Sequence, residues 1–170
     1  MCKIDNMYKY IAVYVDDLMI ASKNPNAIVE ILMSVYKFKL KGNGPVSFHL
    51  GCDWFRDEDG NLCFAPKKYI IKMIANYERL FGRKPKPAAS PLIKGDHPEL
   101  DDSAILDMAG VSIYQSLIGS CQWVIQIGRF DICTAVMTMS RFRVAPRTGH
   151  LDRVKRIIGY LSKMREGVIR

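Results

Sequence analysis

The sequence has no Cys-x-x-Cys pair and no two histidines one helical turn apart: Cys2, Cys52, Cys63, Cys121 and Cys133 are scattered, as are His49, His97 and His150. That excludes the ligand spacings of zinc modules, and the thiols read as reduced. Nor is there an apolar run near the ~20 residues that span a bilayer, or the layout of a signal peptide, so no membrane is expected and the expected location is intracellular. Low-complexity tracts and internal repeats are missing too, which argues against a disordered chain or a solenoid.

What is present is globular. Hydrophobic residues make up 49% and charged residues 25% of 170 residues, enough for one good-sized core or a domain with a smaller partner. The net charge is +8 and unevenly spread. Residues 1–60 hold 7 basic and 8 acidic side chains, residues 61–100 hold 8 and 3, and residues 101–170 hold 10 and 6. The last thirty residues are the most one-sided, with only Asp152 and Glu166 against nine cations, a field that concentrates a polyanion.

Tyr14-Val15-Asp16-Asp17 is the most informative segment. Tyr10 to Val13 precede it and Leu18 to Ala21 follow it, two short runs of strand formers around a polar break, so a tight β-hairpin is expected with the carboxylate pair at its tip. Asp-Asp is a poor turn pair beside Asn-Gly or Asp-Gly. Two hard carboxylate oxygens on a rigid ribbon suit Mg²⁺, an oxygen-liganded cation that also binds phosphates.

Beyond the hairpin, Asn24-Pro25 starts a helix whose apolar positions Ile28, Ile31, Leu32, Val35 and Phe38 run until Gly42. Val46 to Phe55 reads as one strand, Asp57 to Gly60 as its turn and Asn61 to Phe64 as the return. Pro66 opens a second helix that Gly82 ends. Pro85, Pro87, Pro91 and Pro98 then lie too close together for a helix and predict an extended connection between two bodies. Three amphipathic helices follow over Ile113 to Ile125, Ile132 to Phe142 and Leu151 to Leu161, separated at Gly128 and at Pro146 with Gly149.

Together with Tyr14 to Asp17, the segments Phe48-His49-Leu50-Gly51, Lys68-Tyr69-Ile70, Ser90-Pro91-Leu92, Tyr114-x-x-Leu117-Ile118-Gly119-Ser120 and His150 followed by Lys155-Arg156-Ile157-x-x-Tyr160-Leu161 resemble, in order and spacing, the reverse transcriptase of copia-type long-terminal-repeat retrotransposons. Two stretches depart from that pattern: Gly128-Arg129-Phe130-Asp131 stands where the family often has Thr-Arg-Pro-Asp, and Ala65-Pro66-Lys67-Lys68 lacks a nearby Gln.

The resemblance implies an α+β fold: a partial polymerase palm over residues 1–64, a helix and Pro-rich connection over 65–111, and a three-helix thumb-like region over 112–170. It implies template-directed DNA synthesis by two-metal nucleotidyl transfer, with Asp16 and Asp17 as catalytic carboxylates and ligands of two Mg²⁺ ions. Tyr14 and Val15 would lie under the primer terminus, Phe48, Leu50 and Gly51 would grip the primer, and Gly119, Trp123, Arg153, Lys155 and Arg156 would face the duplex. The implied partners are an RNA/DNA primer–template, dNTPs and the rest of a polyprotein. The strand carrying a further catalytic aspartate is expected upstream of Met1 and a ribonuclease H segment downstream of Gly167-Val168, so the chain taken alone is expected to be inactive. The alternative is a non-catalytic nucleic-acid-binding remnant of a retroelement.

Overall fold

The computed structural model describes residues 2–4 and 7–170. It is an α+β structure and divides into two compact units at Val46 and Ser47. The first unit is a three-stranded antiparallel sheet in the order β1 (Cys2–Ile4), β2 (Met7–Tyr14), β3 (Asp17–Ala21), followed by helix α1 (Pro25–Ser34). The β2–β3 register pairs Tyr10 with Ala21, Val13 with Leu18 and Tyr14 with Asp17. With a side-chain period of two, Ile11, Val13, Leu18 and Ile20 share one face, while Ala12, Tyr14, Asp17 and Met19 share the other. The Asn24 side chain caps α1 by accepting from the Ala27 N–H at 3.3 Å. The helix is shorter than its apolar spacing predicts. Val35 closes it and Lys37 takes a left-handed φ of 57°, which leaves Phe38 exposed beyond its end.

The second unit contains β4 (Phe48–His49), β5 (Cys52–Arg56), β6 (Leu62–Ala65) and helices α2 (Lys67–Phe81), α3 (Met108–Gln126), α4 (Cys133–Ser140) and α5 (Thr148–Lys163). The single strand expected over Val46 to Phe55 is two strands. Leu50 and Gly51 both have positive φ, 52° and 86°, and reverse the chain so that Phe48 pairs with Asp53. A two-residue hairpin with left-handed φ at both positions normally advertises itself with Asn-Gly, and Leu50 hides it inside an apolar alternation.

One core joins the four helices. Ile70, Met73 and Tyr77 of α2 pack with Tyr114, Leu117, Ile118, Cys121 and Val124 of α3, Val136 and Met139 of α4, and Val154, Ile157, Ile158 and Leu161 of α5. The helix periodicity buries these faces as expected, at roughly 1.5–3 kcal/mol for each fully buried large side chain. Burial holds the Cys121 thiol up at about 12, far from a reactive thiolate. Cys52, Cys63, Cys121 and Cys133 are free thiols. No helix among the described residues is long and apolar enough to cross a membrane.

The Pro-rich stretch is not a connection between bodies. It lies as a strap along α5 within the second unit. The Ala88 N–H donates to the Gly159 carbonyl at 3.3 Å, and a Cβ at Gly159 would run into the Lys86 carbonyl oxygen. Further along, Arg153 makes a two-pronged bond to Asp96, both contacts at 2.7 Å, and a short one to Asp101. His150 Nε2 lies 2.9 Å from the Pro98 carbonyl, while its Nδ1 accepts from the Arg147 N–H at 3.0 Å. Proline forbids helix there but not tertiary packing, which comes from side chains far away in sequence.

Candidate metal-binding hairpin and the motifs of the second unit

The carboxylate pair does not occupy the turn as a pair. Val15 and Asp16 form the two-residue loop, and Asp17 begins β3 opposite Tyr14. Val15 carries the backbone departure, with φ at 55°. A hairpin turn with positive φ at its first central position normally uses glycine, and a β-branched residue there is strained. Val15 is also 86% exposed, so core packing does not explain the conformation. The arrangement projects Asp16 at the tip and keeps Asp17 one residue away on the Tyr14 face of the ribbon, both exposed. Their oxygens suit a hard divalent cation. Among the described residues, no group of three or more His, Cys, Asp or Glu side chains could hold a metal ion.

In the second unit the structure brings together motifs that are far apart in sequence. A Cβ on Gly51 would stand 3.5 Å from Tyr69 Cδ2 and 3.8 Å from Trp123 Nε1. Tyr69 in turn lies beside Ser120 on α3. Gly51 is therefore held by its turn and by protein neighbours. Phe48 is exposed and receives the Lys68 ammonium 5.1 Å from its ring centroid, with Lys68 also 2.6 Å from Asp53. Leu50 is half-buried in the turn. On α3, Gly119 lies on the outer face with open space where a Cβ would be, one turn before half-buried Trp123.

Three cations of α5, Arg153, Lys155 and Arg156, have protein partners. Arg153 is committed to Asp96 and Asp101 and stands 20% exposed. Lys155 reaches Asp152 at 2.8 Å and lies 4.9 Å from the Phe81 ring centroid. Arg156 donates from Nη2 to Ser90 Oγ at 3.1 Å. The Ser103 hydroxyl, followed by Arg153, holds the Asp101 carboxyl down at about 2. Asp96 is lowered by its bonds to Arg153.

Sequence reasoning missed the strap contacts and one ion pair made by a buried arginine. Arg129, 4% exposed, grips Asp131 through Nε at 2.9 Å and Nη2 at 2.7 Å, and donates from Nη1 to the Met164 carbonyl at 2.6 Å. The departing segment Gly128 to Asp131 thus keeps an Arg-x-Asp clamp. Its i, i+2 spacing was visible in the sequence, but its tie to Met164 was not. Ile169 then pairs with Phe64 through two backbone bonds of 3.0 Å.

No family model and no solved structure matches the chain. Curated proteins do. The putative transposon Ty5-1 protein of Saccharomyces cerevisiae is 31% identical over 160 residues, 92% of this chain and 49% of that protein. A retrovirus-related Pol polyprotein from transposon TNT 1-94 of Nicotiana tabacum is 30% identical over 166 residues, 92% of this chain and 12% of the polyprotein. A Pol polyprotein from transposon RE1 of Arabidopsis thaliana is 28% identical over 154 residues, 90% of this chain and 10% of that polyprotein. The chain thus spans about half of the yeast relative and about a tenth of the plant ones, and these similarities support a retrotransposon-polyprotein origin for it.

Proposed function

We propose that the chain is the C-terminal palm and thumb part of a copia-type reverse transcriptase, and that its hairpin carries part of the site for RNA-templated DNA synthesis. One observation carries this reading: the Tyr14 to Asp17 hairpin, with Val15 at a left-handed φ and two carboxylates at its end, inside a chain similar to plant Pol polyproteins along nine-tenths of its length. Strain at an exposed, otherwise unexplained position points to function. Asp16 and Asp17 would hold Mg²⁺. When bound, the metal lowers the barrier to in-line attack on the α-phosphate by activating a hydroxyl and neutralising developing charge. Asp16, at the tip, is the stronger candidate for direct ligation. Asp17, in the ladder beside Tyr14, is the lesser one.

A second reading, nucleic-acid binding without catalysis, is supported by the excess of 18 basic over 9 acidic side chains in residues 61–170. Manganese separates the two readings. Paramagnetic broadening of amide resonances is expected to begin at Tyr14 to Leu18 and to disappear in Asp16→Asn. Broadening that starts instead at the Asp57-Glu58-Asp59 turn, or that survives Asp16→Asn unchanged, would overturn the metal assignment.

A further inference from the structure

We propose that a cavity between the start of the strap, the end of α2 and α5 is a phosphate-binding site for a nucleic-acid strand. The proposal rests on the nucleic-acid reading above, not on metal at the hairpin.

The cavity has a volume of about 300 Å³, and its charged lining is five cations, Arg83, Lys84, Lys86, Lys155 and Arg156, with a single carboxylate, Asp152. Asp152 is already engaged by Lys155. Among the described residues no carboxylate pairs with Arg83, Lys84 or Lys86. Arg156 is bonded through Nη2 to Ser90, while its Nε is buried with no hydrogen-bond partner. A guanidinium N–H removed from water and left unpaired costs stability, and an anion that draws the Arg156 side chain into the cavity would give it a partner.

The backbone that carries the strap cations is fixed in place. Pro85 and Pro87 alternate with Lys84 and Lys86 and fix the backbone φ there. The Lys86 carbonyl is seated against Gly159, and Ala88 is bonded to the same residue. Like charges carried close together on a fixed backbone repel, and a counter-charge among them relieves the repulsion. A phosphodiester supplies that charge with several acceptor oxygens, which suits converging ammonium and guanidinium donors. The backbone is uniform, so such a site reads no base sequence.

The test uses the complete chain and a labelled DNA duplex in the presence of a chelator, so that metal at the hairpin plays no part. Fluorescence anisotropy across a salt series gives the affinity and its salt slope. Replacing Lys84→Gln and Lys86→Gln together is expected to weaken binding on the order of tenfold at low salt and to make the slope shallower by about 1 to 2, at roughly 0.9 per phosphate contact. The pair Lys72→Gln and Lys94→Gln, exposed lysines outside the cavity, removes the same charge and is expected to leave the slope in place. Equal losses from both pairs would reduce the effect to net charge and overturn the site. The Arg156 Nε–H resonance reports on the cavity itself: duplex is expected to shift it, and no shift at saturating duplex would overturn the proposal. If inorganic phosphate shifts it equally and displaces duplex at comparable concentration, the cavity is a small-anion site and the nucleic-acid assignment fails.

Discussion

At the scale of single residues, two features carry the most information, and both are departures from ordinary chemistry. Val15 sits at φ 55° where glycine is normal. Val15→Gly is therefore expected to stabilise the hairpin by about 1 kcal/mol, seen as slower amide exchange along Tyr14 to Leu18. Faster exchange would mean that no strain is stored there. Arg153 forms the other departure, with Asp96 and Asp101 lowered beneath it. Carboxyls depressed in the folded state contribute stability that is present above their unfolded value near pH 4 and lost as pH falls through the folded value. For Asp101 that loss runs down to about pH 2. Arg153→Ala is expected to cost about 3 kcal/mol by leaving two partly buried carboxylates unpaired and to flatten the acid limb of a stability–pH curve measured by denaturant unfolding. An unchanged acid limb would remove the pair from the stability of the strap.

Elements differed in how far they could be read. Helices α2, α3 and α5 lie where their apolar spacing predicts, because each buries one continuous stripe against the others. The expected strand over Val46 to Phe55 failed because Leu50 in a left-handed turn cannot be told from the next residue of an alternating strand. Helix α1 stops early without a glycine or proline to announce it. The strap was misread for a different reason. Its prolines report local backbone limits, whereas its partners Gly159, Arg153 and His150 come from α5, more than fifty residues on. Gly159→Ala offers a direct check. An exposed helix interior would gain about 1 kcal/mol from that exchange, but here the methyl meets the Lys86 carbonyl, so a loss of roughly 2 kcal/mol is expected from the displaced strap. A stabilised protein would contradict the packing. Of the candidate site, the hairpin was legible, with Asp16 at its tip. The placing of Asp17 in the strand, Gly51 against Tyr69 and the ion pairs of Arg153 were not, since each depends on register or on tertiary neighbours.

For the whole molecule, the division at Val46 and Ser47 sets where the chain opens. Among the described residues, the last backbone bond before the boundary runs from the Phe38 N–H to the Leu32 carbonyl. Limited proteolysis is expected to cut first within residues 39–46 and to leave a core from Ser47 onward; first cleavage within Arg83 to Glu99 would contradict the strap. The central claim is that this hairpin belongs to a template-directed polymerase. Its most direct test is RNA-templated primer extension by a fusion that joins to Met1 the stretch of the tobacco polyprotein preceding its matched segment. Extension dependent on Mg²⁺, abolished by Asp16→Asn and not given by the chain alone is the expected result. A folded fusion that binds primer–template yet does not extend it, or extends it equally with Asp16→Asn, would contradict the claim.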